Sequence, residues 1–109
     1  MRRYTPKDLK YKHYRFDIFT DYPNSKEILS SGSFTAEGID KARVRIVKEL
    51  SRGNANMPKK TYLYDSDSRE FLGSMYFNYR GYPIWELGNQ VWMCSYKTGK
   101  IHSKDVVMR

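Results

Sequence analysis

One cysteine, Cys94, stands in 109 residues. It can form no internal disulfide, and nothing argues for an oxidising compartment. The two histidines, His13 and His102, lie far apart and, with a lone Cys, have no metal-ligand spacing. The seven glycines are scattered, mostly at turn positions, so no glycine-rich loop is available to cradle a phosphate. No stretch approaches the roughly 20 apolar residues of a membrane span, and the first twenty contain no run of signal-peptide type. These deficits predict a soluble, cytoplasmic protein without cofactor, metal or membrane partner.

Catalysis is poorly supplied too. Cys94, His13 and His102 are the residue types of a Cys–His pair. Yet Cys94 falls in a strand-like segment between Trp92 and Tyr96, the setting of a buried and inert thiol. Asp65-Ser66-Asp67-Ser68 opens like a calcium loop, but Arg69 and Glu70 occupy the fifth and sixth positions, where an oxygen ligand and glycine belong. The segment reads as a polar hairpin tip, and no enzyme is expected.

What the chain does have is positive charge at its two ends and an abundance of aromatic rings. The net charge is +8. Residues 1–15 carry six bases against Asp8, and residues 97–109 carry four against Asp105, while the ten bases and ten acids of 16–96 cancel. Ten Tyr, five Phe and two Trp make up 16% of the residues. Rings at that density suit a thin, sheet-rich domain whose Tyr hydroxyls stay wet. They also suit a surface that stacks on bases or on partner side chains.

The periodicities place one domain over residues 11–109, preceded by a basic arm at 1–10 that includes Pro6. Residues 11–20 alternate, with Tyr14, Phe16 and Ile18 on one face and His13, Arg15 and Asp17 on the other. Residues 21–25 are a turn, and 27–34 a weaker strand interrupted by Ser-Ser-Gly-Ser. Thr35 reads as a helix N-cap, with Gly38 where a capping box would want Glu. Ile39, Ala42, Ile46, Val47 and Leu50 recur at helical spacing up to Ser51. After a loop over 53–60 the pattern is strand and turn: Thr61–Asp65, Glu70–Tyr79, Ile84–Leu87, Gln90–Lys97 and Lys100–Met108. Phe71, Gly73, Met75, Phe77 and Tyr79 are expected on one face, and Gly88-Asn89 as a two-residue hairpin. The expected fold is α+β: an antiparallel sheet of five to seven strands with one amphipathic helix on one face, ordered β-β-α-β-β-β-β.

Three groups of residues are candidate binding elements. On the helix, Lys41, Arg45, Lys48 and Arg52 fall within roughly 60° of one another, about opposite the apolar stripe, in a column of about 16 Å. Arg43 lies nearer the apolar face, where its stem covers core and its head is expected to snorkel out. The arm and the start of the first strand interleave Arg2, Arg3, Lys7, Lys10 and Lys12 with Tyr4, Tyr11 and Tyr14, so cations reach phosphates and rings stack on bases. Finally, one helix cannot cover a sheet of this width, so Tyr76, Tyr79, Tyr82, Trp85 and Trp92 are candidates for an exposed aromatic surface.

Arg80-Gly81-Tyr82 begins like an RNA-recognition strand motif, but Pro83, Trp85 and Leu87 do not continue it and the element order is wrong for that fold. The leading expectation is a non-enzymatic nucleic-acid-binding accessory factor. It would act through phosphate contacts from Arg2, Arg3, Lys7, Lys10, Lys12, Lys41, Arg45, Lys48 and Arg52. Tyr11, Tyr14, Tyr79, Tyr82 and Trp85 would supply stacking or partner contacts. No groove-reading motif is present to confer sequence specificity. The alternative is a protein-interaction module, an adaptor or small inhibitor of an acidic partner, that uses the aromatic sheet face. A homodimer through that face or a sheet edge is a variant of it.

Overall fold

The computed structural model describes residues 11–20, 27–52 and 59–102. Seven strands form one sheet: β1 (Lys12–Thr20), β2 (Ile28–Ala36), β3 (Lys59–Asp65), β4 (Phe71–Phe77), β5 (Pro83–Leu87), β6 (Gln90–Cys94) and β7 (Ile101–His102). Among the described residues one helix, α1 (Ile39–Leu50), follows β2. The spatial order is β2-β1-β3-β4-β5-β6-β7, and every neighbouring pair is antiparallel. The α+β architecture and the order β-β-α-β-β-β-β are those the periodicities predict. The basic arm, the turn at 21–25, most of the loop at 53–60 and the chain after His102 lie outside the described residues. Among the described residues, no helix is long and apolar enough to cross a membrane.

Strand pairing turns the alternation in β1 into a core. Ile18 lies opposite Ser30 on β2 and Thr61 on β3, and the row continues through Met75 and Trp85 to Trp92. The next row runs Gly32, Phe16, Leu63, Gly73. These two rows face α1, whose Ala42, Ile46, Val47 and Leu50 are buried against them. The helix packs across β1 to β4.

Two of these sheet positions are glycines because a ring occupies the space of the missing side chain. A Cβ on Gly32 would lie 2.9 Å from the Phe16 ring, and one on Gly73 would lie 2.3 Å from the Trp85 indole. Gly73 also has φ +140, a backbone conformation that side chains disfavour.

The helix begins later than its sequence pattern suggests. Thr35 is no N-cap; it sits in β2 opposite His13, and the strand runs on to Ala36 because Phe34 and Ala36 are both buried. The N-cap is Gly38, in extended backbone and without a side-chain cap. Asp40 supplies the acid of the first turn, and at the other end Ser51 Oγ donates to the Val47 carbonyl at 2.8 Å.

The strand at 71–77 also departs from simple alternation. Tyr64 pairs with Phe71 but Leu63 with Gly73, so Leu72 is an extra residue in β4. The bulge turns Phe71 to the face away from the helix, leaving Gly73, Met75 and Phe77 on the helix side. Tyr79 belongs to the following turn rather than to the strand.

Gly73→Ala is expected to cost about 3 kcal/mol, since the new methyl meets the indole and the backbone is strained. Gly81 has φ +86 but nothing within 4 Å of an added Cβ. Gly81→Ala should therefore cost only about 1 kcal/mol, the backbone part alone. Urea midpoints of the two variants separate the contributions, and equal losses would mean that Trp85 does not depend on Gly73.

Candidate functional site

The face of the sheet away from α1 is built from the other half of each alternation. One row runs Ser33, Arg15, Tyr64, Phe71. A second runs Ser31, Asp17, Tyr62, Ser74, Glu86, Val91, and a third Ile28, Phe19, Lys60, Tyr76, Ile84, Met93, His102. No helix lies on this face among the described residues.

Four of its rings touch in sequence. Phe19 and Tyr62 have centroids 5.1 Å apart, Tyr62 and Phe71 5.5 Å, and Phe71 and Tyr64 5.6 Å. The tilted and edge-on geometries are those that aromatic quadrupoles favour. Beside the cluster lies an open groove of about 350 Å³, lined by Lys60, Tyr62, Tyr64, Phe71, Ser74 and Glu86 among others. Phe71 is 42% exposed, so the cluster is accessible from solvent.

The charges on this face are matched within it. Arg15 pairs with Asp17 at 2.9 Å and lies over the Tyr64 ring at 5.3 Å. Asp17 also accepts from Ser31 Oγ at 2.7 Å and is 7% exposed. Lys60 pairs with Glu86 at 2.5 Å and lies 5.4 Å from the centre of the Tyr76 ring. Burial, and then the negative charge of Asp17, raise the Tyr64 hydroxyl above its ordinary value. The result is an aromatic surface with each of these two cations held beside a carboxylate.

The ring residues singled out from the sequence go elsewhere. Tyr14 and Trp85 are 2% and 3% exposed, both in the helix-facing core, and neither is free to stack on a ligand. Pairing explains this: Tyr14 belongs to the row that the helix covers, and Trp85 lies in register with Met75. Trp92 shares that side and packs against the core. Tyr11, Tyr79 and Tyr82 are exposed, but Tyr79 and Tyr82 sit in the 78–82 turn, where Asn78 Oδ1 accepts from the amides of Arg80 and Tyr82. Of the rings named as a possible surface, Tyr76 alone lies among the three rows.

Phe19, Tyr62 and Tyr64 were legible as the second face of their strands, because each alternates with a core residue. Phe71 was not, since its orientation depends on the Leu72 bulge.

The cations divide likewise. Arg2, Arg3, Lys7 and Lys10 lie outside the described residues. Lys12 is on the helix side, lining a groove of about 490 Å³ with Tyr14, Arg43 and Trp85. Arg45 on α1 and Arg52 just past its end share Glu49 at 3.0 and 3.3 Å, while Lys41 and Lys48 make no ion pair among the described residues. The helix column and the ring cluster therefore occupy opposite sides of the sheet. Arg43 does not snorkel. Its guanidinium lies over the Trp85 ring at 4.9 Å, pairs with Asp40 at 2.9 Å and donates to the Gly99 carbonyl at 3.3 Å. Its Nε is buried without a partner, and burial lowers the pKa of the group.

Cys94 is buried in the same region, and desolvation pushes its thiol up to about 11 from 9.0. Thiolate chemistry is thereby suppressed at neutral pH. Among the described residues, no group of three His, Cys, Asp or Glu side chains is placed to hold a metal. The folded state favours the neutral thiol, so its contribution to stability is intact below about pH 9 and lost as pH climbs toward 11. The upward shifts of Tyr14 and Tyr64 act in the same direction. Urea midpoints should fall over that window, less steeply in Cys94→Ala, and disulfide-exchange labelling at pH 8 should be much slower for native than for unfolded protein.

No protein-family model, no curated protein and no solved structure matches this chain.

Proposed function

We propose that this chain is a non-enzymatic protein-interaction module that binds a partner protein through the open aromatic face of its sheet. The observation that carries the reading is the contiguous cluster of Phe19, Tyr62, Phe71 and Tyr64 on a face without a helix among the described residues. Interface cores are enriched in aromatic residues and Arg, and charge buried there is costly unless it is paired. Arg15 beside Asp17 and Lys60 beside Glu86 meet that second requirement. A polyanion would have to compete with both carboxylates, whereas a protein surface need only exclude water from rings whose charges are already matched.

The competing proposal is a nucleic-acid-binding factor that grips phosphates with its arm and helix column. Exposed Lys41 and Lys48, free of ion pairs among the described residues, favour it. Their distance from the rings argues against it, because phosphate contacts and base stacking would then fall on opposite sides of the sheet.

The two proposals part in a capture experiment from cells of the source organism. Wild-type protein is compared with Phe71→Glu, Phe71→Ser and the double variant Lys41→Gln/Lys48→Gln, each first checked for an unchanged urea midpoint. The interaction reading expects one protein partner, retained at about 0.5 M salt, where charge contacts are screened. Both Phe71 variants should weaken it at least about 30-fold, the ~2 kcal/mol of an interface hot spot, and the lysine variant should not. Retention of nuclease-sensitive material that salt and the lysine variant release would overturn the reading. So would retention that Phe71→Glu leaves unchanged.

A further inference from the structure

The two edges of this sheet are unlike. Among the described residues β7 is two residues long, and so short an edge offers little to pair with. β2 is nine residues long, Ile-Leu-Ser-Ser-Gly-Ser-Phe-Thr-Ala, with no charged residue and no proline. Its one disruption is the irregularity opposite Ile18 and Phe19, which leaves Ser30 to Ala36 in regular register. Natural edges are ordinarily blunted by charge, proline, brevity or a bulge, and from Ser30 to Ala36 β2 has none of these.

The backbone groups of that edge can be assigned. The His13 and Asp17 carbonyls accept from Ser66 N–H and Thr61 Oγ1 on the β3 side, and Thr20 N–H donates to the Glu27 carbonyl on the β2 side. Groups alternate along a strand, so Tyr14, Phe16 and Ile18 bond to β2, and their partners Phe34, Gly32 and Ser30 bond back. Ser31, Ser33 and Thr35 therefore direct their N–H and C=O off the sheet, with no strand beyond them among the described residues.

The helix sets the charge above this edge. Arg43 reaches toward β5, over Trp85, whereas Arg45 reaches toward β2, over the Phe34 ring at 5.1 Å. At 100° per residue, Lys41, Lys48 and Arg52 fall on the same flank as Arg45. Glu49 is the only carboxylate among them.

We infer that β2 is a pairing edge that captures an extended acidic peptide as an eighth strand, with alternate Asp or Glu side chains turned to the Lys41, Arg45 and Lys48 side. The new strand would lie about 4.8 Å beyond β2, and every second residue would face the helix. A second copy of this chain is the poorer occupant. Antiparallel self-pairing about a two-fold axis keeps both helices on one side and brings two cationic flanks together. The inference concerns a different surface from the aromatic face and does not rest on it.

The probe is a fluorescent nine-residue peptide alternating Glu with Val and Thr, set against the same peptide with Lys for Glu. The acidic peptide should bind, more weakly as salt rises, and slow the amide exchange of Ser31, Ser33 and Thr35. The Lys peptide should not bind. Ser33→Pro removes an outward N–H without touching a bond to β1, and edge strands tolerate proline at such positions. It should weaken binding about 10-fold, as should Lys41→Gln/Lys48→Gln at low salt. If Ser33→Pro unfolds the protein, Ser33 carrying a backbone N-methyl group, introduced by semisynthesis, replaces it. Equal binding of the two peptides, no binding of either, or indifference to the loss of the Ser33 N–H would overturn the inference. A dimer in light scattering that Ser33→Pro abolishes would assign the edge to a second copy instead.

Discussion

Trp85 is the residue on which the two halves of this molecule depend. Its indole fills the space left open by Gly73 on one side and carries the Arg43 guanidinium on the other. Arg43 in turn holds the Gly99 carbonyl, and Gly99, with φ +73, leaves no room for a Cβ against the Asp40 carbonyl. The first turn of α1, the middle of β5 and the turn before β7 are thus tied through one ring and one cation. A shorter or flatter side chain in place of Arg43 would uncover the indole. A larger residue in place of Gly73 or Gly99 would push the layers apart. The apolar stripe of the helix packs over β1 to β4, so this linkage extends the helix-side layer toward β5 and β6. Its electrostatics are poor for stability, since the guanidinium is desolvated and its Nε has no partner. What offsets this is the flat cation on the flat ring, together with the burial of both.

The two sides of the sheet differ in how charge is handled. On the open face the two cations that touch rings, Arg15 and Lys60, are each placed against a carboxylate. On the helix side the column of four has Glu49 alone between Arg45 and Arg52. The described residues hold thirteen cations and nine carboxylates, a net of +4 of the total +8. That +4 is carried by Lys12, Arg15, Lys97 and Lys100, all in the two terminal segments. Residues 16–96 sum to neutral in the sequence, yet their charges are separated between faces. A running total along the chain is blind to that separation, because strand alternation and helical rotation decide the side on which each charge falls.

Local periodicity explains how much of the architecture could be read in advance. Tyr14, Phe16 and Ile18 alternate cleanly, and Ile39 to Leu50 keeps helical spacing, so the order of the described elements and the position of α1 were legible. The helix start was not. Thr35 has the chemistry of a cap, but burial of Phe34 and Ala36 in the β2 row outweighs it. The open face was legible as an inevitable surplus of sheet over helix, but its membership was mostly missed. Trp85 looks like a surface ring by composition, and only its register with Met75 shows it under the helix, whereas Tyr14 already shares the parity of Phe16 and Ile18, which places it in the core row. Phe71 has the parity of a core residue until Leu72 is counted as a bulge. Arg43 resembles a snorkelling cation on a helical wheel, and only the 95–100 turn, which comes from far along the chain, closes over it.

The order of connections accounts for both exposed features of the sheet. β2 ends at the outer edge and β3 pairs with the far side of β1, so the segment carrying α1 must pass over β1. That crossing fixes the helix to one face and to the first strands. Each later strand pairs with its predecessor, β4 on β3 through to β7 on β6, and each step moves away from β2. Among the described residues, nothing after α1 returns to the β2 edge or crosses to the opposite face. The same topology that leaves Phe19, Tyr62, Tyr64 and Phe71 without a covering helix leaves Ser31, Ser33 and Thr35 without a neighbouring strand. The two features share one origin, a sheet whose described strands are added in a single direction after the crossover through α1.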